Sequence, residues 1–156
     1  MKARMLLAAL AAVALSSCGS PDVGSDTRES LDRATSQTAE AAPVRSVRIV
    51  NPAEGAILEG PDVRVELEVE GFAILPAGDT TANSGHHHLF LDEDLTEAGR
   101  PVPTVPGRII HMGDASAGYV FEGVEPGEHR IIAVVGDFAH VPLQPWVVDT
   151  VHFVVR

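Results

Sequence analysis

Apolar and charged residues alternate without interruption along residues 63–70, and this pattern predicts a β-strand. The sequence VRVELEVE puts valine and leucine at every odd position and arginine or glutamate at every even one. A period of two residues is typical of a strand with one buried and one solvated face. We therefore expect this strand to cover a hydrophobic core and to present its charges to solvent.

Shorter apolar runs recur along the rest of the chain. Turn-forming stretches such as PAGD, PGR, GDASAG and EPGEH separate them, and none of these runs forms a convincing amphipathic helix. About seven short strands divided by proline and glycine turns predict an all-β domain over residues 44–156. We expect an immunoglobulin-like antiparallel β-sandwich, with a small barrel as the alternative.

The first 17 residues, MKARMLLAALAAVALSS, have the layout of a secretory signal peptide, with a basic start, an apolar run and small residues at the end. The apolar run is shorter than the roughly 20 residues needed to span a bilayer. The sequence LSSC at residues 15–18 resembles a bacterial lipobox, in which Cys18 becomes the lipidated first residue. The alternative is an ordinary export signal followed by a free cysteine.

Lipidation of Cys18 predicts a membrane-anchored protein of the cell envelope. Gly19 follows the cysteine, which favours the periplasmic face of the outer membrane of a Gram-negative bacterium. Residues 18–43 are rich in small and polar residues, so we expect a flexible linker between the anchor and the domain. The net charge of -11 argues against nucleic acid as a partner, because like charges repel. A protein partner stays open.

The sequence GHHHLFLD at residues 85–92 suggests a metal site. On a strand, His86 and His88 point to one face and His87 to the other. Residues two apart lie about 6.5 to 7 Å from each other at Cα, so two such imidazoles can converge on one ion. His86 and His88 therefore form half of a candidate site.

Two further histidines follow apolar runs and are candidates for completing the site. They are His111 in IIHMGD and His140 in GDFAHVP. Asp137 is expected either to bind the metal directly or to fix the tautomer of a metal-binding imidazole by a hydrogen bond. With nitrogen and oxygen donors and no thiolate, copper, zinc or nickel would suit the set. The alternative is a structural or protein-interaction module in which the histidines hydrogen-bond to one another without a metal.

Enzymatic motifs are absent from the sequence. There is no Gly-x-Ser-x-Gly, P-loop or His-Glu-x-x-His pattern, and the single cysteine is assigned to the anchor. A His-x-His pair in a sandwich also resembles copper-zinc superoxide dismutase, but the rest of that family's pattern is missing. We therefore expect a protein that stores, delivers or senses a metal and that is not an enzyme.

Four stretches in order resemble the bacterial "domain of unknown function 4399" family: VEGFAILPAG, SGHHHLFLD, IIHMGDASAGYVF and PGEHRIIAVVGDFAHVPLQPWVVDTVHFVV. The resemblance implies a small exported or lipidated protein with an immunoglobulin-like sandwich, and it implies no activity. The family pattern matches the chain at His86, His87, His88, His111, His129, Asp137 and His140. Asp149 stands where the family typically has serine. The metal hypothesis comes from the residues themselves and not from the resemblance.

Overall fold

The computed structural model describes residues 44–156, which form nine β-strands. Within this range there is no helix, and so none that is long and apolar enough to cross a membrane. The predicted signal peptide, Cys18 and the linker to residue 43 lie outside the described residues. The strands are β1 (Ser46–Asn51), β2 (Ala56–Leu58), β3 (Val63–Glu70), β4 (Ala73–Ile74), β5 (Ser84–Leu91), β6 (Ile109–Met112), β7 (Gly118–Phe121), β8 (Gly127–Gly136) and β9 (Val148–Val155).

The strands form two sheets, which confirms the all-β class; the immunoglobulin-like assignment within that class stays a prediction. The smaller sheet has the order β1-β3-β7, and the larger has the order β2-β9-β8-β5-β4, with β6 also paired to β5. Most pairs are antiparallel as expected, but β2 with β9 and β4 with β5 are parallel. Strands β2 and β4 have only three and two residues, too few to show a period in the sequence.

The inner core lies between the two sheets. Strand β3 contributes as its alternation predicts, because Val63, Val65 and Leu67 are buried while the charged residues between them are exposed. Burial of each such aliphatic side chain stabilises the fold by about 1.5 to 3 kcal/mol. The buried members of the inner core are Val47, Ile49, Val63, Val65, Leu67, Leu89, Leu91, Met112, Phe121, Val124, Ile131, Ala133, Val135, Val147, Val151, Phe153 and Val155.

A second, smaller set of buried side chains covers the opposite face of the larger sheet. This outer cluster consists of Phe90, Val102, Ile109, Ile132 and Val134. Val102 comes from the connection between β5 and β6, residues 92–108, which therefore folds over that face. Because both of its faces are covered, β5 is buried at every position from residue 85 to residue 91.

Asp92, directly after β5, ties three segments together. Its carboxylate accepts hydrogen bonds from the backbone N–H of Arg130 at 2.9 Å, from Nδ1 of His129 at 2.8 Å and from the guanidinium of Arg108 at 3.2 Å. Its φ of 57° lies in the left-handed region, which aspartate adopts more readily than most residues. One side chain thus fixes the ends of β5, β6 and β8 relative to one another.

Asp92→Ala is expected to lower the free energy of unfolding at pH 7 by about 2 to 3 kcal/mol, since hydrogen bonds to a charged group contribute about 1.5 to 3 kcal/mol. Urea unfolding would measure the loss. Asp94→Ala is the matched control: that carboxylate also binds an arginine, but its side chain is 93% exposed, and such pairs contribute about 0 to 1 kcal/mol. Equal losses in the two variants would contradict the role assigned to Asp92.

Candidate metal centre

Strand β5 places the His triplet on two different faces of the larger sheet. The antiparallel register pairs His86 with Gly136 and His88 with Val134 of β8. Val134 belongs to the outer cluster, so His86 and His88 lie on the outer face beside Phe90. His87 pairs with Met112 and Val135, which belong to the inner core. The division of the triplet follows the alternation expected from the sequence.

Four histidines bring one ring nitrogen each to a common centre. On β6, His111 lies directly opposite His88. His140 reaches the same place from the connection between β8 and β9. One ligand atom from each of these two residues and from His86 and His88 lies within 4.8 Å of all the others.

Three contacts of hydrogen-bond length within this four-histidine cluster all involve Nδ1 of His140. It lies 2.9 Å from Nε2 of His86, 3.1 Å from Nδ1 of His111 and 3.4 Å from Nε2 of His88. Ligand nitrogens on a tetrahedral zinc ion, each 2.0 to 2.1 Å from the metal, are about 3.4 Å apart. The three separations lie at or slightly below that value, and one nitrogen from each of the four rings lies within 4.8 Å of the others, so small ring rotations would complete a four-nitrogen shell.

The tautomer of His111 is set by its second nitrogen. Nε2 lies 3.2 Å from the carbonyl oxygen of Pro103 and 3.2 Å from the hydroxyl of Thr104. A carbonyl oxygen only accepts, so the contact with Pro103 favours the tautomer in which Nε2 carries the proton and donates it. In that neutral tautomer Nδ1 has the lone pair, which faces the cluster. This arrangement, a ring N–H held by a backbone carbonyl, is the usual support of a metal-binding histidine.

His140 is held by a tight turn that begins at Asp137. The backbone N–H of His140 donates to the carbonyl of Asp137 at 2.9 Å, and the N–H of Asp137 donates to the carbonyl of Val141 at 2.9 Å. The Asp137 carboxylate accepts from the N–H groups of Ala139 at 2.8 Å and Val141 at 3.0 Å. It lies outside the four-histidine cluster, and among the described contacts it supports the loop that carries His140.

Burial keeps the β5 histidines neutral. The side chains of His86 and His88 are 1% and 0% exposed. Desolvation first, and then repulsion from the neighbouring imidazoles, lowers the pKa of His86 to about 4 and that of His88 to about 2. At neutral pH neither ring carries a positive charge, so each keeps a lone pair that a cation can use.

A purely hydrogen-bonded cluster accounts poorly for this geometry. A neutral imidazole nitrogen is either one donor or one acceptor, so Nδ1 of His140 can satisfy only one of its three close neighbours. The other two of its three contacts would then be left without a well-directed hydrogen bond. A metal ion satisfies all four nitrogens together.

The remaining described histidines lie elsewhere. His87 is buried in the inner core, and its Nδ1 has no hydrogen-bond partner. His129 contacts Asp92 through Nδ1, and its Nε2 lies 2.7 Å from the carbonyl oxygen of Glu125. His152 is exposed near Glu54. The contacts of Pro103 and Thr104 with His111 had no signal in the sequence, because they depend on how the connection 92–108 folds.

Comparison with known proteins gives one family match. The model of the family described as "Domain of unknown function (DUF4399)" matches residues 65–156. No curated protein matches the sequence. A solved engineered protein, Northeast Structural Genomics Consortium Target OR128, is similar at a TM-score of 0.40 and 15% identity, over 76% of this chain and 21% of that one. The family match spans all four histidines of the cluster.

Proposed function

Because the chain belongs to the DUF4399 family, whose description states no function, we propose from the geometry of the site that the protein binds one transition-metal ion through its four-histidine cluster. The observation that carries the proposal is the convergence of four ring nitrogens within 4.8 Å of one another. Three of the donors, His86, His88 and His111, lie on the paired strands β5 and β6. Most of the shell is therefore formed before an ion enters.

The donor set favours copper or zinc. All four donors are imidazole nitrogens, which suit zinc, copper and nickel and do not suit calcium or magnesium. Affinity for such a site is expected to be highest for copper(II) among the divalent ions of the first transition row. Met112, the one methionine within residues 44–156, lies on the opposite face of the sheet from the four-histidine cluster and adds no sulfur donor.

We further propose that the metal-binding domain belongs to a lipid-anchored envelope protein that stores, delivers or senses the metal. Support comes from the sequence: the signal-peptide pattern, the LSSC motif ending at Cys18, and the polar linker that follows. The four donors of the cluster would complete a tetrahedral shell, and a closed shell favours holding an ion over catalysis at an open position.

The purified full chain is expected to bind one copper or zinc ion per molecule. Titration with Cu²⁺ or Zn²⁺ followed by elemental analysis would give the stoichiometry. Because the metal binds the folded state, an ion concentration of 100 times Kd should raise the free energy of unfolding by about 2.7 kcal/mol. A chelator should reverse the accompanying rise in Tm.

Magnesium and calcium serve as control ions in the same titration, and neither should raise Tm. If wild-type protein binds neither copper, zinc nor nickel after chelator treatment and dialysis, the metal-binding function is wrong. The cluster would then be a structural element of the outer face.

A further inference from the structure

Gly136, the last residue of β8, leaves no room for a side chain beside the cluster. A Cβ atom built there would lie 2.6 Å from Cε1 and 3.1 Å from Nδ1 of His88, and 3.4 Å from the carbonyl carbon of His140. Atoms of this kind do not approach below about 3.4 Å without loss of favourable contact. The His88 ring therefore occupies the space that any other residue at position 136 would need.

The backbone conformation does not explain the glycine. Unlike Gly127, which begins the same strand with a φ of 151°, Gly136 has a φ outside the left-handed region, so other residues could adopt its conformation. Position 136 lies opposite His86 on the outer face of the sheet, in line with Ile132 and Val134. What distinguishes position 136 is the imidazole that lies across it.

The backbone at Gly136 is also held in place. Its carbonyl oxygen packs so closely on Gly85 that a Cβ at residue 85 would lie 2.6 Å away. On its other side, Gly136 forms a β-bridge with Pro142. The clash caused by an added methyl group would therefore be relieved mainly by movement of the His88 ring. That movement would carry Nε2 away from the other three nitrogens.

We propose that Gly136 is a positioning residue, an inference that rests on the proposed metal-binding function. Because Gly136 has no side chain, the His88 ring can lie across β8 with Nε2 directed at the common centre. The residue itself contributes no donor. It acts through His88, and its effect is on metal affinity more than on the stability of the metal-free fold.

Gly136→Ala in the full chain is expected to weaken Cu²⁺ and Zn²⁺ binding about 10-fold to 100-fold, the range found when support of a metal ligand is lost. Chelator competition would measure the affinity. Bound Co²⁺ gives a second readout, because its visible spectrum responds to loss or distortion of one nitrogen ligand. The metal-free variant should keep a cooperative unfolding transition.

Gly118→Ala is the matched control. It also adds a methyl group to a strand, with its Cβ 3.3 Å from the carbonyl oxygen of Val65, but touches no histidine of the cluster. Its metal affinity should equal that of wild type. In a His88→Ala background the ring is gone, so adding Gly136→Ala should change the remaining affinity by no more than about twofold.

The positioning role is overturned if Gly136→Ala binds as tightly as wild type, or if its loss is as large in the His88→Ala background as in wild type. Imidazole NMR signals of the metal-free protein separate this result from failure of the proposed function. Displaced His88 signals with unchanged His129 signals support positioning even if wild type binds no metal; unchanged His88 signals overturn it.

Discussion

Replacing His88 with alanine is expected to weaken copper or zinc binding at least about 100-fold, more than the loss of a residue that only supports a ligand. The change removes one of four donors and leaves a space at the most buried position of the cluster. The other three nitrogens would have to share the ion with water. Chelator competition on wild type and variant would give the two affinities, and elemental analysis the occupancy.

His152→Ala is the control for this substitution. His152 is also a strand histidine, but its side chain is 63% exposed and lies near Glu54, away from the cluster. Its removal should leave the affinity unchanged. Binding by His88→Ala as tight as wild type, or an equal loss in His152→Ala, would show that the metal is held elsewhere, for example by surface histidines.

Substitution of His87 by leucine is expected to make the metal-free protein more resistant to acid. Burial first, and then the nearby His86, lowers the pKa of His87 from its usual 6.5 to about 4. Between these values the unfolded chain binds a proton that the folded chain does not, so the free energy of unfolding falls as the pH falls from 6.5 to 4. At 1.36 kcal/mol per pKa unit, the loss from this one residue is about 3 kcal/mol. Leucine has a similar volume and does not titrate.

Urea unfolding at several pH values between 7 and 4, in the presence of a chelator, would measure the effect. Between pH 7 and pH 4, the free energy of unfolding of the variant should fall by about 3 kcal/mol less than that of wild type. His86 and His88 should keep a residual pH dependence in both proteins. Metal affinity at pH 7 should be unchanged, because His87 lies on the inner face. A pH dependence equal to that of wild type would mean that His87 is hydrated or charged in the folded state.

Local patterns were sufficient to predict the seven longer strands and the division of the His triplet, but not the short strands β2 and β4. The alternation along β3 and the position of His86 and His88 on one face depend only on the two-residue period of a strand, which the sequence displays directly. Which strands join the small sheet does not follow from any such period, and neither does the parallel pairing of β2 with β9 and of β4 with β5. They depend on which sheet edges remain free once the longer strands have paired.

The grouping of the four histidines was only partly accessible. His111 and His140 stood out because each follows an apolar run, but their meeting with His88 depends on β5 pairing simultaneously with β6 and β8. The role of Gly136 could not be predicted, because the sequence does not show which ring fills the space beside a glycine. Asp137 was ambiguous between ligand and support; its amide contacts are set by the turn itself.

The cluster lies on the outer face of the larger sheet and not between the sheets. His111 and His140, the two half-buried members, are covered by connecting segments, whereas His86 and His88 rest on the strands. Under the proposed metal-binding function, an ion would reach the cluster from the side of the segments 92–108 and 137–147, and the two sheets would not have to separate. Loading and release of the proposed ion would then require no opening of the hydrophobic core between the sheets.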